Sequence, residues 1–216
     1  MTRPEECLAV VDGIGSSATF TNLPDGRILA YSNGQFHASA DGGLTWPQRW
    51  DGKFAGKKAS SDGSLIVFKD KTLGLAARLI PPPPPGIGPR PRGDAAAEDE
   101  WKRAVRRSGQ GTPDLQHIAL WRSNDGGKSW SGPVRISPPE EFIQAAYNDV
   151  AVRGSTGRIF VPAYGQGHLY VYFTDDEGAT WQRSKNYPRS IAEYRGRKKE
   201  LDQDEPSIVE GFEPAR

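Results

Sequence analysis

Short apolar runs with period-two alternation, separated by Gly- and Asp-rich turns, fill most of this 216-residue chain. Three of these runs open on a small turn: LPDGRILAYS (Leu23 to Ser32), SSDGSLIVFK (Ser60 to Lys69) and GSTGRIFVPAY (Gly154 to Tyr164). A shorter strand-like segment precedes each (ATFTNL, FAGKKA and NDVAVR), and a further strand follows it (FHAS, HIALWRS and HLYVYFT). The third set is the clearest: Ile159, Val161 and Ala163 alternate with Phe160, Pro162 and Tyr164, the two faces of one strand. The pattern predicts strand, DG-type turn, strand, loop, strand, turn, strand, a four-stranded antiparallel meander repeated along the chain.

The turn after the third strand of each set is an eight-residue box: SADGGLTW (Ser39 to Trp46), SNDGGKSW (Ser123 to Trp130) and TDDEGATW (Thr174 to Trp181). A hydroxyl residue is followed by Asp41, Asp125 or Asp176, then by Gly43, Gly127 or Gly178, then by Thr or Ser and by Trp46, Trp130 or Trp181. Ser and Asp side chains close tight turns onto nearby backbone groups, and Gly supplies the positive φ such a turn needs. Thr and Trp suit the restart of a strand, and Trp adds a large apolar anchor. Each box is therefore expected to be a strand–turn–strand corner pinned by a buried indole, with no chemistry on its Asp.

Four short strands in roughly 40–50 residues is the repeat of a β-propeller blade. The spacing from Asp125 to Asp176 fits, whereas that from Asp41 to Asp125 is far longer. The excess is the stretch Pro81 to Gly111, read as an insertion between the second and third strands of blade two. Its polyproline front cannot join a ladder, and its back, Asp94 to Arg107, is rich enough in Ala, Glu, Lys and Arg for one short helix. Either an irregular excursion or an ordered lid fits this composition. The expected organisation is one partial propeller domain over 1–216: blade one about 15–52, blade two about 53–138 with its insertion at 81–111, blade three about 145–187, and the start of a fourth about 204–216. The basic stretch Lys185 to Lys199 reads as a surface loop. Three blades and a first strand do not close a ring, so the chain is expected to be a piece of a longer protein.

Composition narrows the function. A net charge of +1 with balanced acids and bases points to neither nucleic acid nor a membrane surface, and no apolar run approaches membrane-spanning length. No secretory leader is visible at the N-terminus, so cytoplasmic is the default reading with the compartment left open. One cysteine, Cys7, excludes an internal disulfide, and no Cys/His cluster has zinc spacing. His117 and His168 hold the same repeat position before their box Asp, which suits a shared strand role better than a metal site.

The boxes fit S-x-D-x-G-x-T-W, the Asp-box or bacterial neuraminidase repeat, and the chain resembles the sialidase superfamily outside Pro81 to Gly111. Two stretches sharpen the resemblance: GRIFVPAYGQGHLYVYFTDDEGATW looks like a third-blade segment of exo-α-sialidases, and LDQDEPSIVE looks like the opening of their fourth blade. The resemblance implies an all-β, six-bladed propeller, of which about three and a half blades would be present. It also implies a retaining glycosidase with a Tyr nucleophile, a Glu that activates it, an Asp acid/base and three Arg on the sugar carboxylate, with no cofactor or metal. The implied partner is a sialylated or other acidic glycan.

Carried over residue by residue, Glu205 takes the place of the Tyr-activating Glu. The first Arg is missing from SATFTNL (Ser17 to Leu23), and SNGQ (Ser32 to Gln35) leaves no room for the acid/base Asp. Arg78 in LAAR resembles an Arg-bearing strand end, Asp114 is a weak acid/base candidate before HIALWRS, and Arg216 lies nearer Glu205 than the second Arg should. The third Arg and the Tyr would lie beyond Arg216. Two functions stay open: a sialidase-like glycosidase whose isolated chain is inactive, and a non-catalytic propeller that binds carbohydrate or protein.

Overall fold

A computed structural model of the chain describes residues 14, 18–32, 34–56, 59–79, 86–88, 91, 93–107, 116–141, 143, 151–165, 168–185, 190–194 and 197–201. Three four-stranded antiparallel sheets follow one another along the sequence. The first is a simple meander of β1 (Thr19–Asn22), β2 (Ile28–Ser32), β3 (Gln35–Ser39) and β4 (Gln48–Asp51). A two-residue strand, β5 (Lys53–Phe54), leads to the second sheet: β6 (Ala59–Val67), β7 (Leu73–Leu79), β8 (Ile118–Ser123) and, after β9 (Ser129–Trp130), β10 (Val134–Arg135). The third is β11 (Val152–Arg153), β12 (Ile159–Gly165), β13 (His168–Thr174) and β14 (Gln182–Arg183).

The helix α1 (Ala95–Arg107) sits in the connection between β7 and β8. Asp94 caps it, its Oδ1 accepting the N–H groups of Ala96 and Ala97 at 3.0 and 3.1 Å. Trp101 ties it to the incoming chain, donating to the carbonyl of Gly88 at 2.8 Å.

The middle sheet is buried on both faces, and its alternation divides its side chains between two cores. Leu73, Leu75, Ala77 and Leu79 of β7, with Ala119 and Trp121 of β8, pack with Leu29, Tyr31 and Phe36 of the first sheet. Ala76, Ile118 and Leu120 turn the other way, onto Ile159, Val161, Ala163, Tyr170 and Tyr172 of the third. The sheets thus stack face to face like propeller blades, with a hydrophobic seam between each pair.

In all three sheets the first turn has one geometry. Leu23 N–H bonds the Arg27 carbonyl, Phe68 N–H that of Thr72, and Gly154 N–H that of Arg158, at 2.7, 3.0 and 2.9 Å. The left-handed position is Gly26 (φ 86°), Lys71 (φ 68°) and Gly157 (φ 87°).

This corrects the strand expected from SSDGSLIVFK. Asp62-Gly63 does not turn the chain; β6 runs through it, with a register shift between Ala59 and Gly63. Gly63 is required there by close approach, because a Cβ would lie 2.8 Å from that of Ala77. The real turn, Lys69–Lys71, carries no glycine. Nor do the described residues of FAGKKA form one strand: Phe54 ends β5, Ala55 and Gly56 bend, and Ala59 opens β6. The stretch expected as a loop over 185–199 contains a hairpin, β15 (Ser190–Tyr194) paired with β16 (Arg197–Leu201).

Candidate functional site

The boxes fold alike, atom for atom. Ser39 Oγ donates to Asp41 Oδ1 at 2.7 Å and accepts the Gly43 N–H at 2.9 Å. Asp41 in turn accepts the N–H of Thr45 at 2.9 Å and its hydroxyl at 2.5 Å. Ser123, Asp125, Gly127 and Ser129 repeat this, with the Gly127 N–H on Ser123 Oγ and the Ser129 N–H on Asp125 both at 2.9 Å. Thr174, Asp176, Gly178 and Thr180 do so at 2.9 Å and 2.8 Å.

Each carboxylate is occupied by its own turn, and donors to the charged form depress its pKa. The Thr45 hydroxyl and N–H hold Asp41 far below the ordinary carboxylate range. Burial pushes Asp125 up, but the Ser129 and Ser123 bonds bring it down to about 2. The Thr180 hydroxyl and N–H bring Asp176 to about 2. These groups are anionic at neutral pH and cannot serve as proton donors there.

The indoles diverge from the expected pattern. Trp130 is buried at 2 % exposure, whereas Trp46 and Trp181 are half-buried. Trp46 and Trp130 donate to the carbonyls of Gly43 and Gly127 at 3.1 and 3.0 Å, while Trp181 Nε1 is buried with no partner. Nor does Trp restart its own sheet. Trp46 and Trp181 precede β4 and β14, and Trp130 belongs to β9, which pairs in parallel with β5.

In an antiparallel meander the first and third turns share one end and the second turn lies at the other. The boxes and the first turns therefore make one face of the fold. The opposite face carries the β2–β3, β7–β8 and β12–β13 connections. In the first sheet that connection is minimal: β2 and β3 stay paired to Ser32 and Gln35, so two residues reverse the chain. In the second it is the long stretch containing α1.

Arg78 stands where β7 enters that stretch, opposite Ile118, on the side of the middle sheet that faces the third. Its side chain is half-buried, and its Nε is shielded from solvent with no hydrogen-bond partner. Glu205, Asp114 and Arg216 lie outside the described residues. Of the four candidates for sugar chemistry, Arg78 alone can be placed, on the face away from the boxes.

Three groupings were not anticipated from the sequence. Across the seam of the first two sheets, Trp50 Nε1 donates to the Gly127 carbonyl at 2.8 Å. Its ring stacks on Phe36, which stacks on Trp130, with centroids 5.9 and 5.1 Å apart. Gly52 passes through this cluster, where a Cβ would lie 2.6 Å from the Phe36 ring.

Across the second seam, Glu177 takes the left-handed position (φ 56°) that Gly42 and Gly126 hold in the other boxes. It reaches Arg153 at 2.7 and 2.8 Å and the Lys69 N–H at 3.1 Å. Arg153 also donates to the Val67 carbonyl at 3.0 Å, and Arg122, lying 3.8 Å over the Phe68 ring, donates to the carbonyl of Glu177. The Arg153 bond brings Glu177 to about 2 despite partial burial. The sequence signal for it was the Glu in TDDEGATW where the other boxes have Gly.

The third grouping is a tyrosine–glutamate pair. Tyr172 of β13 donates to Glu141, which also pairs with Arg183 at 2.7 Å. Tyr172 is fully buried, and burial, reinforced by the Glu141 carboxylate, raises its hydroxyl far above the ordinary tyrosine value. It packs a seam and is unsuited to nucleophilic attack. Among the described residues no group of acids, His and Cys has the arrangement of a metal site, and no helix is long and apolar enough to cross a membrane.

No family model and no curated protein sequence matches the chain. Solved structures do. NanB with Optactamide aligns at a TM-score of 0.50 and 14% identity, over 83% of this chain and 44% of that one. A point mutant of the NanB sialidase from Streptococcus pneumoniae gives 0.49 and 15%, over 83% and 45%. A leech intramolecular trans-sialidase complexed with 2,7-anhydro-Neu5Ac gives 0.48 and 16%, over 77% and 43%. This chain spans less than half the length of each. Identities this low speak to fold alone: the chain has an all-β, sialidase-like propeller fold.

Proposed function

We propose that the chain is part of a sialidase-like glycoside hydrolase acting on terminal sialic acid or a related acidic sugar. The sugar would sit on the face opposite the boxes, and hydrolysis would proceed with retention through a Tyr nucleophile that Glu205 activates. Arg78 would hold the sugar carboxylate, and Asp114 and Arg216 are weaker candidates for proton transfer and for a second carboxylate contact. The observation that carries this reading is Arg78 itself. A guanidinium at a strand end on the loop-bearing face, with a shielded and unpartnered Nε, is suited to a planar anion.

The test is binding of 2-deoxy-2,3-dehydro-N-acetylneuraminic acid, followed by calorimetry, together with turnover of a fluorogenic sialoside. Arg78→Lys keeps the charge and loses the fork, and is expected to weaken binding about tenfold. Glu205→Gln is expected to leave binding in place and to abolish whatever turnover the chain shows. Binding indifferent to Arg78→Lys and Arg78→Ala alike refutes the assignment.

A second reading is favoured by the first sheet. Its β2–β3 connection is two residues long and offers no loop for an acid/base Asp. On that reading the protein is a non-catalytic propeller that binds carbohydrate or protein. Tight binding of the unsaturated sugar with no turnover in the longest available chain is its expected signature.

A further inference from the structure

The bulge in β6 lies against Arg78. Between the pairs Ala59–Leu79 and Gly63–Ala77 the register shifts, so Ser60, Ser61 and Asp62 together stand opposite one residue, Arg78. On its other side Arg78 is paired with Ile118. A bulge bends its strand, frees the extra residues from the ladder and is a common device beside binding sites. β6 runs from Ala59 toward the turn at Lys69–Lys71 on the box face, so the bulge lies at the opposite end, with the long connections.

Both ends of the bulge are fixed. Ser60 is buried, and its carbonyl accepts the hydroxyl of Tyr31, from the first sheet, at 2.5 Å. Gly63 is pressed onto β7, where a Cβ would also lie 3.0 Å from the Ala76 carbonyl oxygen. β6 is the edge strand of its sheet, on the side where the three sheets converge. Thr21 of β1, Leu65 of β6 and Arg153 of β11 line one cavity of about 220 Å³ there. Of the three residues that the register sets opposite Arg78, Asp62 alone is an acid.

We propose that Asp62 is a second ligand-reading group of the site: Arg78 takes the anionic group of a ligand, and Asp62 accepts a hydroxyl or amide N–H of the same ligand. This assignment rests on the carboxylate-binding role proposed above for Arg78. A guanidinium only donates and a carboxylate only accepts. A hydroxylated acid satisfies both groups, whereas a plain carboxylate satisfies Arg78 and is repelled by Asp62. Selectivity then comes from a repulsive element as well as an attractive one.

The test is NMR titration of the 216-residue chain with three probes: 2-deoxy-2,3-dehydro-N-acetylneuraminic acid, its methyl ester, and cyclohexanecarboxylate. Arg78→Ala is expected to weaken the acid and cyclohexanecarboxylate and to spare the ester. Asp62→Ala is expected to weaken the acid and the ester about tenfold and to leave cyclohexanecarboxylate no weaker. Asp62→Asn, which keeps the shape and one acceptor, should lose less than Asp62→Ala. Three outcomes overturn the proposal: Asp62→Ala tightening the acid and cyclohexanecarboxylate alike, which makes Asp62 a mere counter-ion of Arg78; all three probes indifferent to Asp62→Ala; or a loss that extends equally to cyclohexanecarboxylate, which marks a disturbed β7. In each of these, weakening of the acid by Arg78→Ala leaves the role of Arg78 standing. Binding indifferent to Arg78→Ala, or no binding of any probe, overturns that role and this assignment together. Circular dichroism of each variant separates lost binding from lost folding.

Discussion

Trp50 and Gly127 are 77 residues apart, and the indole of the first donates to the carbonyl of the second at 2.8 Å. Trp130 donates to the same oxygen at 3.0 Å, so both lone pairs of one backbone carbonyl are engaged. Trp50→Phe keeps the stack on Phe36 and removes only the donor. It is expected to cost about 1 kcal/mol, a fall of about 2–4 °C in Tm. Trp50→Ala also empties the stack and is expected to cost about 2–4 kcal/mol. Differential scanning calorimetry of the two variants checks this; equal losses contradict the separation of ring from bond.

Glu177 replaces a glycine at a left-handed position, which costs a non-glycine residue about 1–2 kcal/mol. Its bonds to Arg153 of its own sheet and to the Lys69 N–H across the seam offset that cost. Its carboxyl is held at about 2 against an ordinary 4.5. A depressed carboxylate stabilises the fold fully above its unfolded value and loses that contribution as pH falls toward the folded one. The seam should therefore weaken between about pH 4.5 and 2, and Glu177→Gln should flatten that part of the acid limb of stability. Urea midpoints at pH 6 and pH 3 measure it: the wild-type chain should lose more than the variant, and parallel losses count against the assignment.

Lys71 holds φ at 68°, while its counterparts Gly26 and Gly157 sit at 86° and 87°. Lys71→Gly relieves that strain and adds unfolded-state freedom. The balance favours stabilisation of roughly 0.5–1 kcal/mol. Lys71→Ala keeps the strain and serves as the control, expected to be near neutral. A glycine variant less stable than the alanine variant in guanidinium melts contradicts this account of the turn.

Tyr172→Phe removes the donor to a buried carboxylate, although Arg183 stays paired with Glu141 at 2.7 Å. A hydrogen bond to a charged group contributes about 1.5–3 kcal/mol, so a loss in that range is expected at neutral pH. The Tyr172 hydroxyl is raised above its ordinary 10.0. A tyrosine raised in the fold contributes fully below that value and loses its contribution as pH rises beyond it. Stability of the wild-type chain should thus decline above about pH 10 more steeply than that of Tyr172→Phe, as followed by tryptophan fluorescence.

What the sequence revealed and what it concealed have separate physical causes. The alternation of Ile159, Val161 and Ala163 was legible because the third sheet buries one face of that strand, and period two reports a buried face directly. The boxes were legible because their turn chemistry is local: hydroxyl, Asp and Gly meet within five residues. The first turn of the second sheet was misplaced because its left-handed residue is Lys71, while the Asp62-Gly63 pair that resembles a turn is a bulge enforced by Ala77. Trp50, Glu177 and Tyr172 could not be assigned at all, since each finds its partner far along the chain, 77, 24 and 31 residues away. Arg78 was visible as a strand-end arginine, but its unpartnered Nε is a property of packing.

The two-residue ladder of β5 and β9 has a consequence for how this molecule can be divided. The residues that leave the first sheet complete their backbone bonding on the box of the second, with Ala55 N–H on the Trp130 carbonyl at 2.9 Å. The sheets are therefore not interchangeable modules joined by a tether. A cut after Asp51 keeps β5 with β9 but parts Trp50 from the Gly127 carbonyl, and a cut after Gly56 leaves β5 unpaired on the first piece. Shuffling, permuting or truncating this fold by single blades therefore breaks either the ladder or the Trp50 bond. The smallest unit that keeps both is the first two sheets with the strand that laces them.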